Sequence, residues 1–374
     1  MTEHRIYLVP GMFGFGRLAG YDYFHHVRLA LEQRFADARV VCATEIVPAP
    51  PTSSLRHRAR ILARTVERTA NPEEILHLVG HSTGGLDLRL VLAPTSNLDI
   101  DRERLRWTAR VETAVSLNAP HYGTPLATYF STVSGTRVLY ALSLFTVVSL
   151  SLGEPSLALL ARLISGVGSI DRLLGGDLKL VRRFTDGMLR FVDKEGRGDI
   201  QEFLSKIRID QGGVIQLMPE AMDLFNASTA DADGVRYGCV ATASPPPSRI
   251  RLAARVRSPS AALTAAMYST LYRFTAQRHE MYPYARPTGQ QAEMLATGIG
   301  DVSDRSNDGV VPTRSMLWGK LLWCGEGDHL DILGHFRDDV RPRVHKDWIT
   351  SDARFTRRRF GELIDAIADF ELGD

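Results

Sequence analysis

The chain has 374 residues, 44% of them hydrophobic and 24% charged, enough apolar material for one large α/β domain carrying insertions. Its 45 Lys and Arg against 43 Asp and Glu leave no basic surplus that would point to nucleic acid or an anionic surface as a partner. Cys42, Cys239 and Cys324 are far apart, odd in number and in no metal-ligand spacing, which argues against a disulfide framework or a zinc site.

The amino-terminal "MTEHRIYLVPG" runs straight into a strand at residues 5–9, with no apolar segment or cleavage signal ahead of it, and so reads as cytoplasmic. A helix is expected over 21–35 and a strand over 40–43. The Pro-rich "VPAPPTSS" is a loop, and residues 55–69 form a basic amphipathic helix that Ser53 or Ser54 could cap. A short apolar strand over 75–79, a helix over 86–92 and a strand over 111–117 continue an alternation that implies a mostly parallel sheet with helices on both faces.

The alternation then breaks. Residues 126–216 lack strand periodicity and are rich in Leu, Ser and Gly, so they are expected to be an inserted helical lid or cap between core segments 1–125 and 217–374. Within the insertion, residues 138–153, "VLYALSLFTVVSLSLG", are short for a membrane span, which needs about 20 apolar residues. They read as a mobile apolar cap over a site, with a buried core helix as the alternative. A strand is expected over 235–243, a second helical insertion at about 250–286, a last strand over 320–324 and a closing amphipathic helix over 355–372.

The chemistry starts from "HLVGHSTGGL", residues 77–86. Here Gly80-His81-Ser82-Thr83-Gly84 joins a strand to a helix, and glycines two before and two after the serine let neighbouring backbone approach without a Cβ clash. Such a serine is a weak nucleophile until a neutral histidine takes its proton, and that histidine needs a carboxylate to fix its tautomer. Asp308, in the tight turn Asn307-Asp308-Gly309, and His329, in the Gly-rich loop "CGEGDHLDIL", follow Ser82 in the required order. Asp301 and Asp304 share the acid loop but not the turn. His25, His26 and His57 fall in helices, and His81 is expected to point away from the nucleophile. His121, in "NAPHYGTPLA", is expected with Tyr122 at the pocket rim. Donors for the oxyanion are the backbone N–H groups of Thr83 and of Met12, in the glycine-rich "LVPGMFGFG", where Phe13 would line the pocket. Phe145 and Val148 are the expected acyl contacts from the cap.

Together, Gly11-Met12, the Gly80–Gly84 elbow, Pro120-His121-Tyr122-Gly123-Thr124-Pro125, "PEAMDLFNAS", Asn307-Asp308-Gly309 and Asp328-His329-Leu330-Asp331 resemble the bacterial true-lipase family of the α/β-hydrolase superfamily. The resemblance implies hydrolysis of triacylglycerols or other carboxylic esters, a helical lid, Ser82, Asp308 and His329 as triad, and Met12 and Thr83 as oxyanion donors. It implies no cofactor for the chemistry. Family members often bind calcium near the histidine loop, and Asp331 matches one ligand, although residues 281–291 contain no acid where a partner would be expected. Pro10 stands where the family usually has a histidine. An acyltransferase or thioesterase would use the same triad, and a binding protein on the same fold would not need it.

Overall fold

The computed structural model describes residues 3–12, 14, 17–18, 21–132, 194–248, 250 and 259–373. Phe13, Phe145 and Val148 lie outside these residues, as does most of the expected cap, including the apolar stretch 138–153.

Among the described residues, six parallel strands form the main sheet, in the order β4-β1-β5-β6-β7-β8. They are β1 (His4–Val9), β4 (Cys42–Ile46), β5 (Ile75–His81), β6 (Val111–Leu117), β7 (Arg236–Ala243) and β8 (Lys320–Glu326). Alternate residues of β1 serve opposite faces, as the period of a strand demands. Ile6 and Leu8 pack with Val27, Leu31 and Phe35 of helix α1 (His25–Asp37) and with Phe360, Leu363, Ile364 and Ile367 of α10 (Arg357–Leu372). Tyr7 and Val9 pack on the other side, with α2 (Leu55–Thr69) and α3 (Thr83–Leu92). Both faces are therefore covered, which is what an all-parallel sheet requires.

Several expected boundaries move for local reasons. The first helix begins at His25 because Tyr21–Asp22 (β3) pairs antiparallel with Arg17–Leu18 (β2), and the Asp22 carboxylate accepts the Phe24 N–H at 2.9 Å in the turn that follows. Arg39 takes a positive φ of 60° and Val40 N–H bonds back to Phe35 O, so the chain is still leaving α1 where the second strand was expected. Helix α2 occupies the expected residues and is capped by Ser54, which accepts from His57 N–H. The elbow helix begins at Thr83, earlier than the apolar pattern indicates, because its first turn holds Gly84 and Gly85.

Beyond α4 (Pro125–Phe130), the described chain continues with α5 (Lys194–Ile209), α6 (Gly212–Gln216) and α7 (Pro219–Ser228). Ile200, Phe203, Leu204 and Ile207 of α5 belong to the same apolar cluster as α1 and α10, so this part of the expected insertion packs on the core. Helices α8 (Pro259–Thr275) and α9 (Gly289–Gly298) precede β8. At the opposite end of the sheet from the elbow, Arg236, the first residue of β7, donates to Phe370 O in the last turn of α10 at 2.7 Å. Among the described residues, no helix is long and apolar enough to cross a membrane.

Candidate active site

Ser82 sits between the end of β5 and the start of α3 with φ 53° and ψ −125°. A non-glycine residue there is strained, and the surroundings hold it in place. Its N–H bonds to Leu117 O of β6 at 2.8 Å. A Cβ on Gly80 would lie 2.4 Å from Gly84 C, and one on Gly84 would lie 2.2 Å from Val9 O. The two glycines of the motif are thus required by close backbone approach, not by turn conformation. Gly11 is equally constrained, since a Cβ there would come within 2.6 Å of Ser82 Cβ. This places the loop after β1 directly against the serine. Met12 lies in a turn closed by Gly14 N–H to Gly11 O, and Thr83 is the first residue of a helix, where N–H groups have no intrahelical acceptor.

Asp308 and His329 meet. His329 Nδ1 lies 2.6 Å from Asp308 Oδ2, and the backbone N–H of His329 also bonds to Asp308 O. The second carboxylate oxygen accepts the N–H groups of Val310 and Val311, at 2.8 and 2.7 Å. Gly309, at φ 97°, makes the turn that brings those donors round, and its N–H bonds to Asn307 Oδ1. The neighbouring aspartates are elsewhere engaged or in water: Asp304 pairs with Arg314 and Arg278, and Asp301 is exposed.

His81 is turned away from solvent and into the fold. Its Nδ1 takes a 2.7 Å bond with Tyr23 OH, and its Nε2 one of 2.9 Å with His329 O, the two imidazoles lying 4.6 Å apart. Burial holds His81 well below the ordinary histidine range, so it is neutral, and the carbonyl of His329 assigns its proton to Nε2. Tyr23 also bonds to the Gly11 backbone, so a single phenol links the loop after β1 to the residue before Ser82.

His121 is 1% exposed, with Nε2 on Ser116 Oγ at 2.9 Å and its ring stacked on Trp318. It props the loop after β6 from inside rather than lining a pocket rim, because Asn226 also grips its carbonyl. Tyr122 is half-buried beside Trp318. Met12 instead packs against the buried cluster of Leu126, Phe130 and Val214, on which Leu271, Phe274 and Val310 also pack. Of these, Val310 is two residues from Asp308.

The carboxylate of Asp331 accepts the N–H of Asp328, while Asp328 accepts the N–H groups of Leu330 and Asp331. The two aspartates close the histidine loop reciprocally. Among the described residues, no group of three or more His, Cys, Asp and Glu is placed to hold a metal ion.

Asn118, Tyr23, and the Arg58–Asp87 pair beneath Pro10 were not among the sequence candidates. None carries a spacing signal, since each reaches the site through the fold. Asn118 alone has a local hint, as an Asn at the end of a strand is suited to the left-handed backbone it adopts.

A parallel sheet of this order, with a strained serine after β5, an acid after β7 and a histidine after β8, defines the α/β-hydrolase fold. The chain is similar to bacterial lipases and esterases. It is 36% identical over 100 residues to a triacylglycerol lipase of Vibrio cholerae serotype O1, a stretch covering 26% of this chain and only 30% of that lipase. EstA from Clostridium botulinum superposes with a TM-score of 0.52 at 16% identity, covering 98% of this chain and 88% of its own. Staphylococcus hyicus lipase does so with 0.52 at 15%, covering 98% and 95%. A metagenomic carboxyl esterase gives 0.50 at 18%, covering 100% and 77%. At these identities the structural likeness is one of fold. No protein-family model matches the chain.

Proposed function

We propose that this protein is a serine hydrolase of hydrophobic carboxylic esters, working through an acyl-serine. The observation that carries the reading is the buried Asp308–His329 hydrogen bond, with His329 packed on His81, the residue before a serine held at positive φ. With Nδ1 committed to Asp308, Nε2 of His329 takes the proton of Ser82 as its Oγ attacks the ester carbonyl. The tetrahedral oxyanion is received by the N–H groups of Met12 and Thr83. Collapse expels the alcohol, which leaves with the proton from His329. Water, deprotonated by the same imidazole, then releases the acid and restores Ser82. No metal enters these steps.

The likeness to a triacylglycerol lipase supports a lipid or other apolar ester as substrate. The apolar cluster of Leu126, Phe130 and Val214, on which Met12 of the loop after β1 and Val310 of the acid loop both pack, supports the same class, since it offers an acyl chain apolar surface between those two loops. Each buried CH₂ gains roughly 0.8 kcal/mol, so kcat/KM should rise about tenfold for every two carbons until that surface is filled.

Ser82→Ala is the test. It should lower kcat on a p-nitrophenyl ester by several powers of ten, about 10⁶ in comparable triads, in a folded protein. An organophosphonate should label Ser82. Near-normal turnover in the variant, or a label on another residue, overturns the reading.

A further inference from the structure

We propose that Asn118 is a positioning residue for the acid, its amide holding Asp308 Oδ2 against His329. The inference rests on the triad reading above.

Asn118 is the first residue after β6, has no solvent exposure and takes φ 48°. Its Nδ2 lies 2.7 Å from Thr242 Oγ1 and 3.0 Å from Asp308 Oδ2. An amide nitrogen has two hydrogens, and both are used here. The orientation is dictated by its partners, because the flipped amide would set its oxygen against a carboxylate. The other end, Oδ1, is buried with no hydrogen-bond partner. A buried acceptor left unpaired is costly, and the side chain accepts that cost while keeping its nitrogen on Asp308.

The two oxygens of Asp308 are held differently. Oδ1 is pinned by two N–H groups of its own loop, whereas Oδ2 takes one donor from His329 and one from Asn118. During the reaction His329 takes a proton from Ser82, and Asp308 must face Nδ1 when the imidazolium forms. Asn118 is the donor on that oxygen that does not itself change charge. It is also anchored apart from the loop it serves, through Thr242 at the end of β7 and through its own N–H to Val240 O at 3.1 Å. The acid is therefore referenced to the sheet as well as to its own turn.

The left-handed backbone suggests the variant. Asn118→Gly removes the amide and keeps a residue at ease at positive φ. Loss of a hydrogen bond to a charged group predicts a kcat about 10- to 100-fold lower, with KM within about twofold and a cooperative thermal transition retained. In the Asp308→Asn background the same change should cost less than about threefold, because the interaction it removes is already broken. A merely structural role would give equal losses in both backgrounds. Asn118→Asp, equally tolerant of the backbone, should be worse than Asn118→Gly, since it puts a second carboxylate against the first. Equal losses in the two backgrounds, or kcat within about threefold of wild type in a folded Asn118→Gly, overturns this inference and leaves the triad standing. Near-normal turnover in Asp308→Asn overturns the triad and this inference with it.

Discussion

Arg58 and Asp87 form an ion pair, Nη2 to Oδ2 at 2.8 Å, with both side chains withdrawn from solvent. The same guanidinium donates to Pro10 O and Pro50 O, so one α2 side chain fastens the elbow helix, the loop after β1 and the loop before α2. Burial holds the Asp87 carboxyl up, against the pull of Arg58. Removing one partner strands the other in an apolar layer. Arg58→Met should cost about 3–5 kcal/mol in urea unfolding and lower kcat as well, since Pro10 lies two residues before Met12, one of the two proposed oxyanion donors. A stability within about 1 kcal/mol of wild type would show that the pair is not holding these elements together.

The acid loop offers a comparison among neighbours. Asp308→Asn should lower kcat by about 10⁴, as the imidazole loses its anionic partner. Asp304→Asn should chiefly loosen the contacts to Arg314 and Arg278, and Asp301→Asn should change little. If either of these two damages turnover more than Asp308→Asn does, the acid has been misplaced. Steady-state kinetics on a single activated ester settles the ranking.

The glycine spacing around Ser82 and the turn letters around Asp308 made the elbow and the acid loop readable, because there the backbone geometry admits few residue types. The alternation of strand and helix made the sheet readable as well, because β1, β5 and β6 are short apolar-rich runs buried on both faces. What the sequence hid depends on packing between distant segments. His81 looked like a bystander because nothing near it in the chain announces Tyr23 or the His329 carbonyl. His121 looked like a rim residue because its neighbours in sequence are turn-formers, whereas Ser116 and Trp318 enclose it. The helix expected at Tyr21 starts at His25 because one carboxylate, Asp22, captures an N–H that the apolar pattern cannot register.

Behind the histidine loop, His26, His335 and His345 gather with Trp348, and His25 lies at the edge against His26. Burial, then the neighbouring histidines, takes His26 from 6.5 down to about 4, and burial takes His335 to about 3. Burial also lowers His345, where Asp338 pulls the other way and Arg357 adds to the fall. Below 6.5 the unfolded chain binds protons that the folded one refuses, so this stability is present at neutral pH and is lost as pH falls toward 4 and then 3. Denaturant midpoints at pH 7, 5.5 and 4.5 should drop progressively, and less so in His26→Gln. An identical acid drop in that variant would remove His26 from the account.

Glu371 should act in the opposite direction. It is 1% exposed, both its oxygens lack a hydrogen-bond partner, and burial lifts its carboxyl from 4.5 to about 8, Arg236 opposing. The folded chain holds this proton where the unfolded one has released it, so the contribution is complete below 4.5 and is lost as pH rises through about 8, on the order of 5 kcal/mol in all. Glu371→Gln keeps the shape without the charge. It should raise the melting temperature at pH 9 relative to wild type while leaving it nearly unchanged at pH 5. Parallel melting curves at both pH values would contradict a buried neutral acid.

The last turn of α10 is fastened beside Arg236, at the margin of the sheet where its strands begin, whereas Ser82, Asp308 and His329 stand where they finish. A strand of six residues spans about 20 Å, so a tether grafted near Gly373 would lie that far from the reacting atoms. Coupled to a resin or an electrode through that helix end, the protein would turn its catalytic loops outward to the flowing substrate, and the linker could be shortened without crowding them.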